Sequence, residues 1–492
     1  MSSGLEVTIL VEVVKNYING KWVESKAKET RDVFNPATGE LIAKTPMSTA
    51  EETLEAIAAA KVAYERWRRT PVFTRVRHLN RIRDAFEENF EELSKILTME
   101  QGKAIDEARG EYRRTIENLE CATSIPSLQM GYNTEDIAAG IDEMVIKQPI
   151  GVFFCVAPFN FPGMVPTWFW PFAIGVGNTY IVKPSEQVPL SQVKQFEIIH
   201  ELGLPRGVLN MVHGGAEAVN TLIESPDTVG MSFVGSTPVG KLLYKKAGEH
   251  GKRAQVQAGA KNFLTIMPDA DIERTVPALI TSFYGCAGQR CLAGGVLLAV
   301  GDIYEPLKEA LVEAAKKYSV GNGLEEGIQM GPLASKRGME TVLGYIENGI
   351  KEGAELILDG RGIEVPGHPG GYFIGPTIFD KVTRDMTIAK EEIFGPVIPI
   401  VQVKDLEEAI DIVHANPYGN ASSVFTSSGK IAREYQYRVK AGNIGINIGV
   451  VAPIATFPFS GMKDSFFGDL HGQGQDAVDF FTENKVVITR WF

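Results

Sequence analysis

Two of the chain's four cysteines lie five residues apart in the stretch SFYGCAGQRC (residues 282–291), with Arg290 directly before the second. Such a pair could bind metal, close a disulfide, fill a core or attack an electrophile. Cys121, Cys155, Cys286 and Cys291 contain no CxxC repeat of the kind that holds zinc, and four cysteines in 492 residues are too few for a disulfide framework. The seven histidines (78, 200, 213, 250, 368, 414 and 471) are scattered, with no HxxxH or HExxH on one helix face, so no protein-held metal is expected. A packed thiol and a nucleophile remain. No histidine adjoins GCAGQRC, which argues against a ring nitrogen taking the thiol proton. Backbone N–H groups, a neighbouring cation and a bound cationic ring could lower the thiol's pKa instead. Gly285 and Gly288 would let the backbone approach such a ligand. Free cysteine is also among the most buried residue types, so on the residues alone both readings stay open.

Two other stretches carry possible binding chemistry. GSTPVGKL (residues 235–242) nearly matches the phosphate-loop pattern GxxxxGK[ST], but Leu242 replaces the hydroxyl that would meet magnesium, so the stretch does not indicate an ATPase. A strand followed by a helix from about Thr237 would still offer free N–H groups and a positive dipole end to a pyrophosphate, with Ser236 as a side-chain donor. A plain capped helix fits the motif equally well. VKPSEQ places Lys183 and Glu186 at the exit of an apolar strand. A carboxylate there accepts from ribose hydroxyls and repels a 2′-phosphate, whereas Lys183 would attract one, so NAD is favoured and NADP stays open. No GxGxxG fingerprint occurs.

The elements that must position these residues follow from periodicity. Before residue 125 the chain is rich in amphipathic helices. In STAEETLEAIAAAKVAYERW, Ser48 and Glu51 have capping-box spacing, and Leu54, Ile57, Ala58 and Val62 recur at helical spacing. From Gly151 short β-rich runs (GVFFCVAP, TYIVKPS, GVLNMVHG, TVGMSFVG) alternate with helical ones, which predicts βαβ units and a parallel sheet covered on both faces. Ligands then bind where strands exit, at PFNFP, KPSEQ, HGG and GSTPVG. A second α/β region begins near Gly259, with strands in NFLTIMPD and GVLLAVG. The segment from about Pro126 to Lys147, with the terminal NKVVITRWF, is expected to form an arm pairing with another subunit. GRGIEVPGHPGGYFIGPT (residues 360–377) reads as an exposed loop.

Composition narrows the function. With 61 acidic against 49 basic residues and a net charge of −12, the chain lacks the basic surplus of a nucleic-acid binder. The opening residues carry acids within an apolar run and lack the pattern of a secretory leader. The most apolar window, MVPTWFWPFAIGVG, is broken by Pro166 and Pro171 and too short to span a bilayer. The expectation is a cytoplasmic protein without a membrane or nucleic-acid partner.

PFNFP, KPSEQ, FVGSTPVG, GQRC, EEIFGPV and PFSGMKDSFFGD occur in the order and at roughly the separations of the aldehyde dehydrogenase superfamily, over nearly the whole chain. The resemblance implies an α/β protein in three parts. These are a Rossmann-type NAD-binding domain (1–125 and 148–258), an α/β catalytic domain (259–472) and a β oligomerisation arm (126–147 and 473–492) that would make a homodimer or homotetramer. By resemblance Cys291 is the nucleophile. The Asn160 side-chain amide and the Cys291 N–H form an oxyanion hole, where losing one donor typically costs about 2.7–4 kcal/mol. Ser236 contacts the pyrophosphate, Lys183 and Glu186 the adenosine ribose, and Phe159, Glu392 and Phe394 the nicotinamide end of the cofactor.

One departure bears on the outcome of the reaction. Hydrolytic members carry a glutamate in LELGGK, the base that activates water; here the aligned stretch is VQAGAK, with Gln257 at that position. An amide takes no proton, so a general-base contribution of roughly 10²–10⁴-fold is absent there. With GAKNF, GCAGQRC and FSGMKDSFFGDLHG, this resembles the methylmalonate-semialdehyde dehydrogenase branch, in which the acyl group passes to coenzyme A. In that branch two arginines hold the substrate carboxylate, matched here by Arg290 and by Arg114 in preference to Arg113. GINIGVVAPIATFPFSG and Phe263, where histidine is common, depart from the branch and bear on the substrate channel. The alternatives are a non-acylating dehydrogenase of a small hydroxyaldehyde such as glyceraldehyde, and a catalytically silent protein on the same fold. Cys286 reads as a packed neighbour whose spacing would also allow an oxidative disulfide.

Overall fold

The computed structural model describes residues 11–492, so the first half of the opening stretch read against a secretory leader lies outside the described residues. The alternation in the sequence produces two sheets. In the first, the strands Val152–Val156, Thr179–Lys183 and Leu209–Met211 run parallel in one direction from the centre, and Thr228–Val234 and Arg253–Gln257 in the other. The order therefore reverses between Val152–Val156 and Thr228–Val234. A crevice at such a switch point is where open parallel sheets bind ligands, and these two strands exit into PFNFP and GSTPVG.

The second sheet sets Asn262–Ile266 between Gly294–Val300 and Ala421–Phe425, all parallel. Its strands read as unbroken apolar runs because helices cover both faces: Leu297, Leu298, Ile266 and Val424 are fully buried. The window MVPTWFWPFAIGVG folds as a 3₁₀ turn, Val165–Trp168, and a helix, Trp170–Val176, both wholly buried in the first core. Among the described residues no helix is long and apolar enough to cross a membrane.

Tyr132–Ala138, Ile141–Pro149 and Thr482–Arg490 form a separate three-stranded sheet joining the two segments expected to share an arm. Its strand Tyr132–Ala138 is exposed throughout. Two extents differ from the expected division. Phe466–Phe467 returns to pair with Arg253–Gln257 in the first sheet, and Gly474–Phe480 is a helix that precedes the arm.

The first long helix, Ala50–Trp67, corrects the expected cap by one residue. Thr49 and Glu52 form the capping box, because Glu52 also accepts from Ser25 Oγ and the Lys26 N–H, while Ser48 accepts from Asn16. The buried stripe shifts with it to Ala56, Ile57, Ala60, Tyr64 and Trp67; Leu54 and Val62 face solvent.

Candidate active site

Cys291 sits in the link between the helix Ile272–Tyr284 and the strand Gly294–Val300, at the amino ends of the second sheet's strands. Its carbonyl oxygen accepts from Asn262 Nδ2 and Asn420 Nδ2, each at 2.8 Å, from residues that start or immediately precede the two neighbouring strands. The nucleophile loop is thus fixed by two asparagines that the sequence reading did not single out. PFNFP approaches from the carboxyl end of the first sheet, and the Asn160 amide donates to the Gln289 carbonyl at 3.0 Å. An Asn amide carries two N–H donors, so one remains for an oxygen bound beside Cys291.

Cys291, Asn160, Arg114 and Arg290 line one cavity of about 500 Å³. Helical spacing explains the Arg114 wall. On the helix Ile105–Ala122, Glu107, Glu111, Arg114 and Asn118 recur every three or four residues and share the face that lines the cavity. Arg113 points away, paired with Glu87 at 2.8 Å and stacked over Phe90. Apolar walls come from Phe161, Trp168, Val450, Pro453 and Phe459; Val450 and Pro453 belong to the stretch flagged as divergent.

Arg290 is largely shielded. Its Nη2 lies 2.7 Å from Glu107 Oε1 and its Nε 3.3 Å from Cys286 Sγ. Cys286 is a buried free thiol, and the four cysteines are all unpaired with one another. The two glycines of GCAGQRC make room for protein, not ligand. A Cβ on Gly285 would lie 2.5 Å from Arg290 Nη1, and one on Gly288 would lie 2.2 Å from the Gly395 carbonyl oxygen.

Burial pushes the Cys291 thiol up to about 12, and the nearby Glu392 adds to this; N–H groups of Cys291 and Leu292 and the charge of Arg290 pull the other way. Burial likewise raises the Glu392 carboxyl to about 7 against the Ala260 N–H and Lys261, and burial lowers Lys261 to about 7. Glu392 and Phe394 line a smaller recess with Lys261 behind the nucleophile loop, and the Phe394 ring meets Phe159 edge-on at 5.8 Å.

Lys183, Glu186 and Ser236 do not line the main cavity. Ser236 is the exposed N-cap of the helix Thr237–Glu249 with no side-chain cap bond, and its hydroxyl and the Thr237 and Val239 N–H groups have no partner among the described residues. Lys183 Nζ lies 3.3 Å from Glu186, whose other oxygen is held by Arg31 at 2.6 Å. Burial opposes the charge of Glu186, but Lys183 and Arg31 outweigh it and hold the carboxyl below its ordinary value. Arg31 was not legible in the sequence, since it reaches Glu186 across 155 positions.

Gln257 ends its strand with its Nε2 3.2 Å from the Phe459 carbonyl, and its Oε1 is buried without a partner among the described residues. These features fit a dinucleotide: an uncapped helix start at the switch point, a paired Lys183 and Glu186 at the exit of another strand of the same sheet, and a recess between Glu392 and the nucleophile loop. Among the described residues no cluster of metal-binding side chains occurs.

The sequence profile of the aldehyde dehydrogenase family matches residues 22–487. Malonate-semialdehyde dehydrogenase 2 of Geobacillus kaustophilus (strain HTA426) is 48% identical over 485 residues, 99% of this chain and 100% of that one. The malonate-semialdehyde dehydrogenase of Halalkalibacterium halodurans is 47% identical over 480 residues, covering 98% and 99%. Among solved structures, a Sinorhizobium meliloti 1021 protein complexed with NAD, provisionally assigned as a methylmalonate-semialdehyde dehydrogenase, superposes with a TM-score of 0.97 at 38% identity, over 98% and 99% of the two chains. The methylmalonate-semialdehyde dehydrogenase of Oceanimonas doudoroffii superposes with a TM-score of 0.96 at 40% identity, over 98% and 99%.

Proposed function

The chain belongs to the aldehyde dehydrogenase family, and from that premise we propose that it oxidises malonate or methylmalonate semialdehyde with NAD and passes the acyl group to coenzyme A. The observation that carries this reading is the cavity that Cys291 shares with Arg114 and Arg290. Two guanidinium groups beside a nucleophile select an aldehyde that carries its own carboxylate, because each hydrogen bond to a charged group contributes roughly 1.5–3 kcal/mol. The names of the relatives agree with that selection.

In this reading Cys291 gives up its thiol proton to solvent and the thiolate Sγ attacks the aldehyde carbon, while the free Asn160 N–H and the Cys291 N–H receive the developing oxyanion. The bound nicotinamide supplies the hydride acceptor. Ser236 and the start of Thr237–Glu249 hold the pyrophosphate, Lys183 and Glu186 the adenosine ribose, and Glu392, Phe394 and Phe159 orient the nicotinamide end. The acyl group is left as a thioester on Cys291. Gln257 offers no base to a water, so the thioester persists until the thiolate of coenzyme A displaces Cys291 and regenerates it. The first sheet then serves as the NAD-binding domain, the second as the catalytic domain, and the three-stranded sheet as an oligomerisation arm in a homodimer or homotetramer.

NADH formation and acyl-CoA production, followed with and without CoA, test this function on malonate semialdehyde, methylmalonate semialdehyde, propanal and glyceraldehyde. The expected result is a single NADH burst without CoA and steady turnover with it, confined to the two acids. Steady release of free acid without CoA, or preference for glyceraldehyde, would replace the proposal with a non-acylating dehydrogenase.

A further inference from the structure

The turn before the nucleophile is held in a conformation that its residues do not favour. Cys286 (φ 51°, ψ 32°) and Ala287 (φ 52°, ψ 36°) are both left-handed, and Gly288 follows at φ 72°. Consecutive left-handed residues bearing a Cβ persist only where surrounding contacts over-determine them. One contact reaches this turn from the other side of the cavity. The Cys286 N–H donates to Glu107 Oε1 at 2.7 Å, and the same oxygen accepts from Arg290 Nη2 at 2.7 Å. Glu107 stands in the first turn of Ile105–Ala122, 179 positions before Cys286. Its second oxygen, Oε2, is buried without a partner among the described residues, so Oε1 alone does this binding.

We infer that Glu107 is a positioning residue: a single carboxylate oxygen fixes both the strained turn that presents Cys291 and the guanidinium of Arg290. The inference rests on the proposed function where it treats Arg290 as the carboxylate clamp. A guanidinium has five N–H donors. Three are engaged by Cys286 Sγ, the Thr281 carbonyl and Glu107. The two that remain, one on each terminal nitrogen, can meet a substrate carboxylate, and their direction is set by the bond to Glu107. Removing that bond frees Arg290 to rotate; removing the acceptor for the Cys286 N–H lets the turn relax.

Glu107→Ala and Glu107→Gln separate these two effects. Glu107→Ala is expected to slow alkylation of Cys291 by iodoacetamide and to lower kcat on both malonate semialdehyde and propanal by about tenfold or more, since displacement of a reacting group by about 1 Å can cost 10²-fold. It should also raise KM about tenfold for the acid alone, the loss of one charge-assisted bond. Glu107→Gln keeps one oxygen that can accept from both the Cys286 N–H and Arg290 but loses the charge that strengthens the second bond, so alkylation and kcat should return to within about threefold of the parent while KM for the acid stays raised, by less than in Glu107→Ala. Parent-like alkylation, kcat and KM in folded Glu107→Ala would overturn the inference, as would identical behaviour of the two variants. If Glu107→Ala does not fold, Glu107→Gln decides: a raised KM for the acid with kcat kept supports the role, and an unchanged KM overturns it. If the parent enzyme shows no preference for the acid, the proposed function fails, and the alkylation contrast still decides whether Glu107 holds the turn.

Discussion

Lys103 Nζ lies 2.6 Å from Glu111 Oε2, with both side chains fully shielded from solvent, and the same ammonium donates to the Asn160 carbonyl at 2.8 Å. Glu111 Oε1 accepts in turn from the N–H groups of Gly163 and Met164. This buried pair pins Asn160 itself and the residues that follow it in the loop. Burial alone raises the Glu111 carboxyl, and the lysine offsets part of that rise. Lys103→Met should therefore leave an uncompensated carboxylate and destabilise the fold by about 3–5 kcal/mol. Urea unfolding measures this; a loss below about 1 kcal/mol, the range of an exposed pair, would refute it.

Gln257→Glu tests what the missing base decides. The new carboxylate would face the Phe459 carbonyl in a buried setting, which raises a carboxyl pKa toward the range useful to a base at neutral pH. Release of free acid without CoA should accelerate by about 10²-fold, within the usual span of general-base help. Unchanged release in single-turnover quench experiments would place the limit on hydrolysis elsewhere.

Arg114→Ala should raise KM for semialdehyde acids by about ten- to a hundredfold with little effect on propanal, and Arg290→Ala should raise it as much while also slowing propanal to a smaller degree, because Arg290 lowers the Cys291 thiol and bonds the turn before it. Arg113→Ala should leave both substrates unaffected, since its side chain lies off the cavity, against Glu87 and Phe90. Equal losses on acid and neutral aldehyde would rule out the clamp.

The nucleophile should be quiescent in the free enzyme. Burial and the nearby Glu392 hold the thiol well above its ordinary value, so little of it is thiolate at pH 8. Alkylation should rise with pH and show no plateau up to pH 9. Glu392→Gln removes a negative charge that holds the thiol protonated, so alkylation of the cofactor-free enzyme at pH 8 should accelerate severalfold. A plateau near pH 7, or a slower variant, would contradict the assigned environment.

Arg31 and Lys183 flank Glu186, and together they offset the carboxylate's repulsion of a 2′-phosphate. Arg31→Ala should shift cofactor preference further toward NAD, with the ratio of KM for NADP to KM for NAD rising severalfold. A falling ratio would mean that Arg31 opposes rather than assists the phosphate.

Local patterns determined much of this protein. Neighbouring residues encode the βαβ alternation, the helix start at Thr237, and the face of Ile105–Ala122 that carries Arg114 and not Arg113, because strand and helix periods fix which side chains share a face. Ordered motifs named Cys291 and Asn160. Even local rules slipped where a distant group intervened: the cap moved from Ser48 to Thr49 because Ser25 and Lys26 also bind Glu52. What holds the site together was decided only in three dimensions. Asn262 and Asn420 meet the Cys291 carbonyl across 29 and 129 positions, and Glu107 meets Arg290 across 183. Gly285 and Gly288, read as openings for a ligand, accommodate a guanidinium and a carbonyl. Sixty-one acidic residues compete for partners in this chain, and no spacing rule says which one meets which cation. That choice follows from a fold that sets the loop leaving a first-sheet strand, with Asn160, against the loop entering the second sheet, with Gln289 and Cys291.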